Sequence, residues 1–198
     1  MPGQKYVDVK ELGKVELSSY NNDWYDTKAS SLKRFFWYFI SVIFFINPLN
    51  PISFIKVILL RLFGAKVGKN VIIKPSVNIK YPWFLEIGDH VWIGEGVWVD
   101  NLTLVKIRDN VIISQGAMLL TGSHDYTKSS FNLDVGEILI EDGAWIGAKS
   151  IVCPNVTCFS HSVLAVGSIA TTNLEAYTIY QGNPARAKRK RNINGEVI

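Results

Sequence analysis

From residue 67 onward, large aliphatic residues recur at every sixth position. The series runs Val67, Ile73, Ile79; Ile87, Ile93, Val99; Ile107, Ile113, Leu119; Ile140, Ile146, Val152; and Cys158, Leu164, Ala170. Two positions earlier, within uninterrupted runs, stand only Val, Ala or Ser, as at Val71, Ala117 and Ser150, and Gly often follows, as at Gly68, Gly88, Gly94 and Gly147. Each hexapeptide reads as one short strand and a tight turn, with the large side chain inward and the small one near a corner. Three hexapeptides close one triangular coil, and stacked coils bury a continuous aliphatic column. An antiparallel sandwich also alternates, but it has no reason to hold a six-residue phase through fifteen positions. The pattern predicts an all-β solenoid of parallel strands, about five triangular coils over residues 65–175. The steps 79→87 and 99→107 each add two residues at the same corner. The step from Leu119 to Ile140 leaves about fifteen extra residues, a projecting loop near 120–139.

Upstream, residues 35–46 (FFWYFISVIFFI) are apolar or nearly so, with no clear polar face. They are too few to span a bilayer, which needs about 20. After NPLNP comes ISFIKVILLRLF, which predicts a helix with Asn50 as N-cap, Pro51 at its first position and Gly64 as its stop. This apolar helical segment, 30–64, either packs on the main domain or a sister subunit, or makes a peripheral membrane contact through residues 35–63. For the second placement Lys33, Arg34, Trp37 and Tyr38 are the flanks an interfacial helix uses. The N-terminal arm, 1–29, has no apolar core and carries Trp24 and Tyr25, and the sequence assigns it no role. Residues 176–198 form a C-terminal segment with a basic tail.

The net charge of +4 locates to that tail: Arg186, Lys188, Arg189, Lys190 and Arg191 crowd into six positions. Without them 16 bases face 17 acids, so a general nucleic-acid surface is not expected. Cys153 and Cys158 make no disulfide framework or zinc signature. With no apolar leader at the start, a cytoplasmic location is expected, at the inner face of the membrane if the helical segment docks there.

The pieces LLRLFGAKVGKNV (59–71), IGEGVWVDN (93–101), ISQGAMLLTGSHDY (113–126), DGAWIGAKS (142–150) and QGNPAR (181–186) resemble the hexapeptide-repeat acyltransferases. Within them the chain is most similar to the colanic-acid-type polysaccharide O-acetyltransferases. The resemblance covers about residues 30–191. It implies a left-handed parallel β-helix, a homotrimer with active sites between subunits, acetyl-CoA as acyl donor, a saccharide acceptor and no metal. The histidine spacings of 34 and 37 lack the close pair that related zinc enzymes use.

Transfer to a hydroxyl needs a base as the oxygen attacks the thioester carbon, and an imidazole suits that task. The resemblance assigns it to His124 in the projecting loop. Asp100 and Asn101, at a coil corner, are expected opposite His124 from an adjacent subunit, holding the acceptor or orienting the ring. Both also satisfy an ordinary turn. Asp125 is a second candidate for orienting the ring. For the donor, the resemblance points to Trp145 bordering the site. Gly147, Ala148, Ala165 and Gly167 are small enough for a pantetheine arm. Thr171, Asn183, Arg186 and Arg189 are the candidates toward the nucleotide end. His90 and His161 read as structural corner residues. Two rival readings stand beside this one: an N-acyltransferase on an amino-sugar nucleotide, and a non-catalytic β-helix scaffold at a membrane.

Overall fold

The computed structural model describes residues 13–195, so the first twelve residues of the arm and the last three of the chain lie outside the described residues. The six-residue phase folds into a three-faced prism. The first face stacks the strands Lys66–Val67, Leu85–Ile87, Val105–Ile107, Ile138–Ile140 and Thr157–Cys158. The second stacks Ile72–Ile73, Trp92–Ile93, Ile112–Ile113, Trp145–Ile146 and Val163–Leu164, and the third Asn78–Ile79, Trp98–Asp100, Met118–Leu120, Ile151–Val152 and Ile169–Ala170. All these pairs are parallel, and each aliphatic position sits on its counterpart in the next coil, Ile73 on Ile93 on Ile113. That makes five full coils, and a sixth begins where Leu174 bridges Cys158 and Thr178–Gly182 pairs with Val163–Leu164.

The inward column from Ile73 to Ala170 is buried throughout. The residue three places after each inward position of the first and second faces turns the corner in the left-handed region: Asn70, Ser76, His90, Gly96, Asn110 and so on to His161 and Gly167. Gly, Asn and other short polar residues tolerate that conformation best. The glycine directly after an inward residue answers a different need. A Cβ on Gly147 would stand 2.6 Å from the carbonyl oxygen of Leu164 in the next coil, so stacking itself excludes a side chain there.

The helical segment covers the first coil. Helix α1 (Ser31–Ile40) runs into a π-helical turn, 41–46, and helix α2 (Ser53–Leu62) follows. Helix α2 begins two residues later than the sequence suggests. Asn50 does not cap it but closes the preceding turn, accepting from the Ile52 amide and donating to the Phe44 carbonyl. Its end is as expected: Gly64 at φ +102 lets the Gly64 and Ala65 amides turn back to the carbonyls of Arg61 and Leu60. Trp37 is no membrane flank, because it is buried and its indole donates to the Ile79 carbonyl at 3.0 Å. Lys56 is fully buried, and its ammonium donates to the carbonyls of Ile73 and Lys74. Burial pulls its pKa below the usual lysine range. At the other end the basic tail is a strand, Ala185–Lys190, antiparallel to Thr178–Gly182. A run of Arg and Lys on the last strand of a sheet also guards that edge against pairing with other chains.

Inward and outward neighbours on one strand separate core from surface energetics. Ile107→Ala is expected to destabilise the protein by about 2–5 kcal/mol, read from chemical denaturation. Lys106→Ala, which removes an outward side chain paired with Glu86, is expected to cost less than about 1 kcal/mol.

Candidate active site

All three departures from the six-residue phase fall at one corner, between the third and first faces. The first brings Lys80, Tyr81 and the short 3-10 turn Pro82–Phe84, the second Leu102, and the third the hairpin Gly122–His124 with Leu133–Val135. Stacked coils therefore stack their insertions. Thr121 ties the third to the second, donating to the Asp100 carbonyl at 2.9 Å and accepting from the Leu102 amide at 2.8 Å.

The N-terminal arm then crosses all three. The Thr27 carbonyl accepts from the Trp83 indole, and the Tyr25 hydroxyl donates to the Leu102 carbonyl at 2.6 Å. Farther along, the Asn21 amide donates to Asn132 and the Glu16 amide to the Ser129 carbonyl. Arm and insertions enclose a cleft of about 740 Å³, lined among others by Tyr25, Lys80, Tyr81, Asp100 and His124. On the other side of the arm His124 borders a second hollow of about 610 Å³, beside Trp24 and Tyr126.

His124 is fixed within this cleft. Its Nδ1 lies 2.9 Å from the Phe131 carbonyl, and its ring stacks on the Phe131 ring at 4.7 Å and 11°. A carbonyl only accepts, so the proton sits on Nδ1 and the neutral ring keeps Nε2 as its free base. Phe131 holds φ +50, a rare conformation for a bulky residue, and such outliers cluster at functional sites. The sequence offered no sign of this partner. Asp125, expected to orient the ring, instead accepts from the Thr127 amide and hydroxyl and pairs with Lys128. Those bonds, Thr127 foremost, hold its carboxyl below the usual carboxylate range.

Asp100 lines the same cleft as His124 within one chain, where the sequence pointed to an adjacent subunit. Its Oδ1 is buried 2.9 Å from the Lys80 ammonium, an ion pair without hydrogen-bond alignment. Asn101 does not share the cleft. It is fully buried, donating to the Tyr81 carbonyl and accepting from the Tyr81 amide, so its amide is spent on the corner.

The donor candidates occupy a different corner, between the second and third faces. Gly147 and Ala148 stack under Ala165 and Gly167, with the Gly167 amide on the Ala148 carbonyl. The turn Gly182–Pro184, with Asn183, continues the stack, since the Gly182 amide donates to Ser168. Trp145 stands exposed on the second face just before this corner, its indole donating to Ser114. Arg186 follows the turn and Arg189 lies farther along the edge strand. Thr171 comes after Ala170 on the third face, and so does not join the others. His90 and His161 turn corners at φ +58, His161 packing on Tyr177. Among the described residues no cluster of His, Cys, Asp and Glu could hold a metal.

No family model matches the chain. The Escherichia coli (strain K12) protein WcaF, assigned to colanic acid biosynthesis as an acetyltransferase, is 40% identical over 136 residues, 69% of this chain and 75% of its own length. The chain belongs to the hexapeptide-repeat acetyltransferase family. Galactoside O-acetyltransferase of the same organism is 28% identical, with 68% of each chain covered. Among solved structures, a hexapeptide-repeat acetyltransferase of Vibrio cholerae complexed with acetyl coenzyme A matches at TM-score 0.75 and 24% identity, over 85% of this chain and 93% of that one. A galactoside acetyltransferase in complex with coenzyme A matches at 0.72 and 25%, over 81% and 82%. This acetyltransferase thus shares the left-handed β-helix of its structural neighbours.

Tyr25 anchors the arm of this acetyltransferase, and burial, then Tyr81 and Asp100, push its phenol well above the usual tyrosine range. The fold therefore holds the protonated form. That contribution is complete below the ordinary value of about 10 and is lost as pH rises beyond it. The melting temperature is expected to drop between about pH 9 and 11, and Tyr25→Phe to flatten that drop, measured by thermal denaturation across the range.

Proposed function

We propose that this acetyltransferase moves an acetyl group from acetyl-CoA to a hydroxyl of a saccharide, with His124 as general base. The observation that carries the reading is the histidine itself: it borders a polar cleft, and the Phe131 carbonyl leaves Nε2 as its unprotonated nitrogen. Two relatives support the chemistry: one is assigned to a polysaccharide pathway, and another is named for O-acetylation of a galactoside. The complexes with acetyl coenzyme A and coenzyme A support the donor.

The acceptor hydroxyl approaches Nε2, and as its oxygen attacks the thioester carbon the proton passes to the imidazole. The tetrahedral intermediate collapses with cleavage of the carbon–sulfur bond. The imidazolium returns the proton to the departing thiolate, giving the O-acetyl saccharide and free coenzyme A. The Gly147 amide is held by the Leu164 carbonyl, so at this corner the Ala148 amide would receive the thioester oxygen as charge develops on it. Asp100, paired with Lys80 at the cleft wall, would hold an acceptor hydroxyl.

The donor corner and His124 stand on opposite edges of the third face. A ring of three copies resolves the separation by bringing one copy's donor corner beside the next copy's His124. The exposed Trp92, Ile112 and Trp145 on the second face and Trp98 on the third supply apolar sides for that contact, while the first face carries the Lys66–Glu86–Lys106 ion ladder.

His124→Ala is expected to lower kcat by about 10²–10⁴ while the KM for acetyl-CoA changes by no more than a few fold, read from thiol release with saccharide acceptors. Wild-type kcat in the alanine variant, or a trapped acetyl-enzyme, would overturn the mechanism.

A further inference from the structure

We propose that the side of the helical segment turned away from the solenoid docks on an anionic lipid bilayer. The segment is apolar on both sides. Trp37, Phe45, Val57 and Leu60 face the first coil and are buried. On the outer side Phe36, Phe39, Ile43, Leu49, Phe54 and Leu62 are all exposed, Leu49 at 86% and Leu62 at 73%. In α2 the exposed positions Phe54, Ile58 and Leu62 keep a four-residue spacing, one continuous stripe along the helix. Soluble surfaces seldom leave an apolar area of this kind uncovered.

Charge selects the occupant. Between Asp26 and Glu86 the chain has nine Lys or Arg and no acid, from Lys28 to Lys80. Lys56 is buried, and Lys28, Lys66 and Lys80 pair with Asp26, Glu86 and Asp100, which leaves Lys33, Arg34, Arg61, Lys69 and Lys74 as the excess. An apolar stripe with that net positive surround fits a membrane carrying anionic headgroups. A second copy would present the same positive charge and be repelled. Position argues the same way. The segment caps the end of the prism, α2 on the strands Lys66–Val67 and Ile72–Ile73 and the π-helical turn on Asn78–Ile79. Copies ringed about an axis along the prism touch through its sides and leave this end free. From the proposed function this inference takes only that ring, in which three such ends face one way and engage a surface together. No helix among the described residues is long and apolar enough to cross a membrane, so the contact is peripheral. Arg34, Lys80 and Tyr81 line both the His124 cleft and an apolar hollow between α1 and the third face. Docking would therefore set the acceptor cleft at the lipid surface.

The test is flotation of the full chain with vesicles of phosphatidylglycerol and phosphatidylethanolamine, against vesicles of phosphatidylcholine alone. Light scattering gives the oligomeric mass in parallel. Wild type is expected to float with the anionic vesicles at least tenfold more than with the neutral ones, and less so at about 0.5 M salt. Phe39→Ser/Ile43→Ser/Phe54→Ser is expected to lose at least tenfold of that binding at unchanged mass. Leu49→Asp, on the loop between the helices, is the milder variant and is expected to weaken flotation with no change in melting temperature. Failure of wild type to float, or flotation unaffected in both variants, would overturn the proposal. So would a change of oligomeric mass in the variants, since a second copy would then be the occupant. No step reads acetyl transfer, so the outcome is independent of the catalytic mechanism.

Discussion

Everything in this molecule depends on the closure of each coil over its aliphatic column. Stacked backbones hold one another in register, Ile73 over Ile93 over Ile113, and glycines such as Gly147 have no room even for a methyl group. A coil so constrained cannot absorb an extra residue within a face. Extra length leaves at a corner, and a corner repeated by stacking gathers the extras of successive coils into one ridge. The cleft is that ridge, built from Tyr81, Leu102 and the 122–135 hairpin and closed by the arm. Rigidity in the column is thus what lets irregular chain be positioned around His124.

The column was legible because a six-residue period is a property of side-chain type alone. Fold, coil number and the place of the projecting loop followed from it. The left-handed corner residues, three places after each inward position of the first two faces, were equally open to reading: Asn, Gly and His recur there. The site was less legible. Asn101 and Asp125 have the right chemistry for a catalytic role, but the partners their side chains engage in this chain, Tyr81 and Thr127, are revealed only by the folded corner. The Phe131 carbonyl that orients His124 is a backbone group and leaves no mark on the sequence. The arm is hidden for a similar reason: at Glu16, Asn21 and Thr27 it is held through its own main-chain groups, which leave no mark on the sequence.

In the proposed reaction the two corners would carry different halves of the chemistry. The insertion corner offers a base, an ion pair and aromatic walls, the furniture of a polar acceptor site. The corner of Gly147, Ala148, Ala165 and Gly167 offers bare backbone along three stacked turns, suited to a long thin donor. One prism keeps these a face apart, and a second prism laid against it can bring them together. Trp92, Ile112, Trp145 and Trp98, exposed on the two faces that flank the donor corner, would be covered by the same contact, while the first face, with its Lys–Glu–Lys ladder, would stay in water.

Charge completes the picture, and here the mean value misleads. Subtracting the basic residues near the C-terminus from the total leaves near neutrality, which suggests a single local patch. Position by position the chain is strongly divided. The helical end holds nine bases without an acid and the edge strand region five bases, while the remaining positions hold seven bases against seventeen acids. The acids sit mostly in the central coils and the arm, and the bases at the two ends of the prism. Such a division orients a molecule near a charged surface before any contact forms. At the proposed lipid surface it would turn a basic end toward the anionic headgroups and the acidic coils away from them. The apolar stripe on α2 and the exposed residues of α1 lie at the end with more bases, so electrostatic approach and apolar burial would act on the same face.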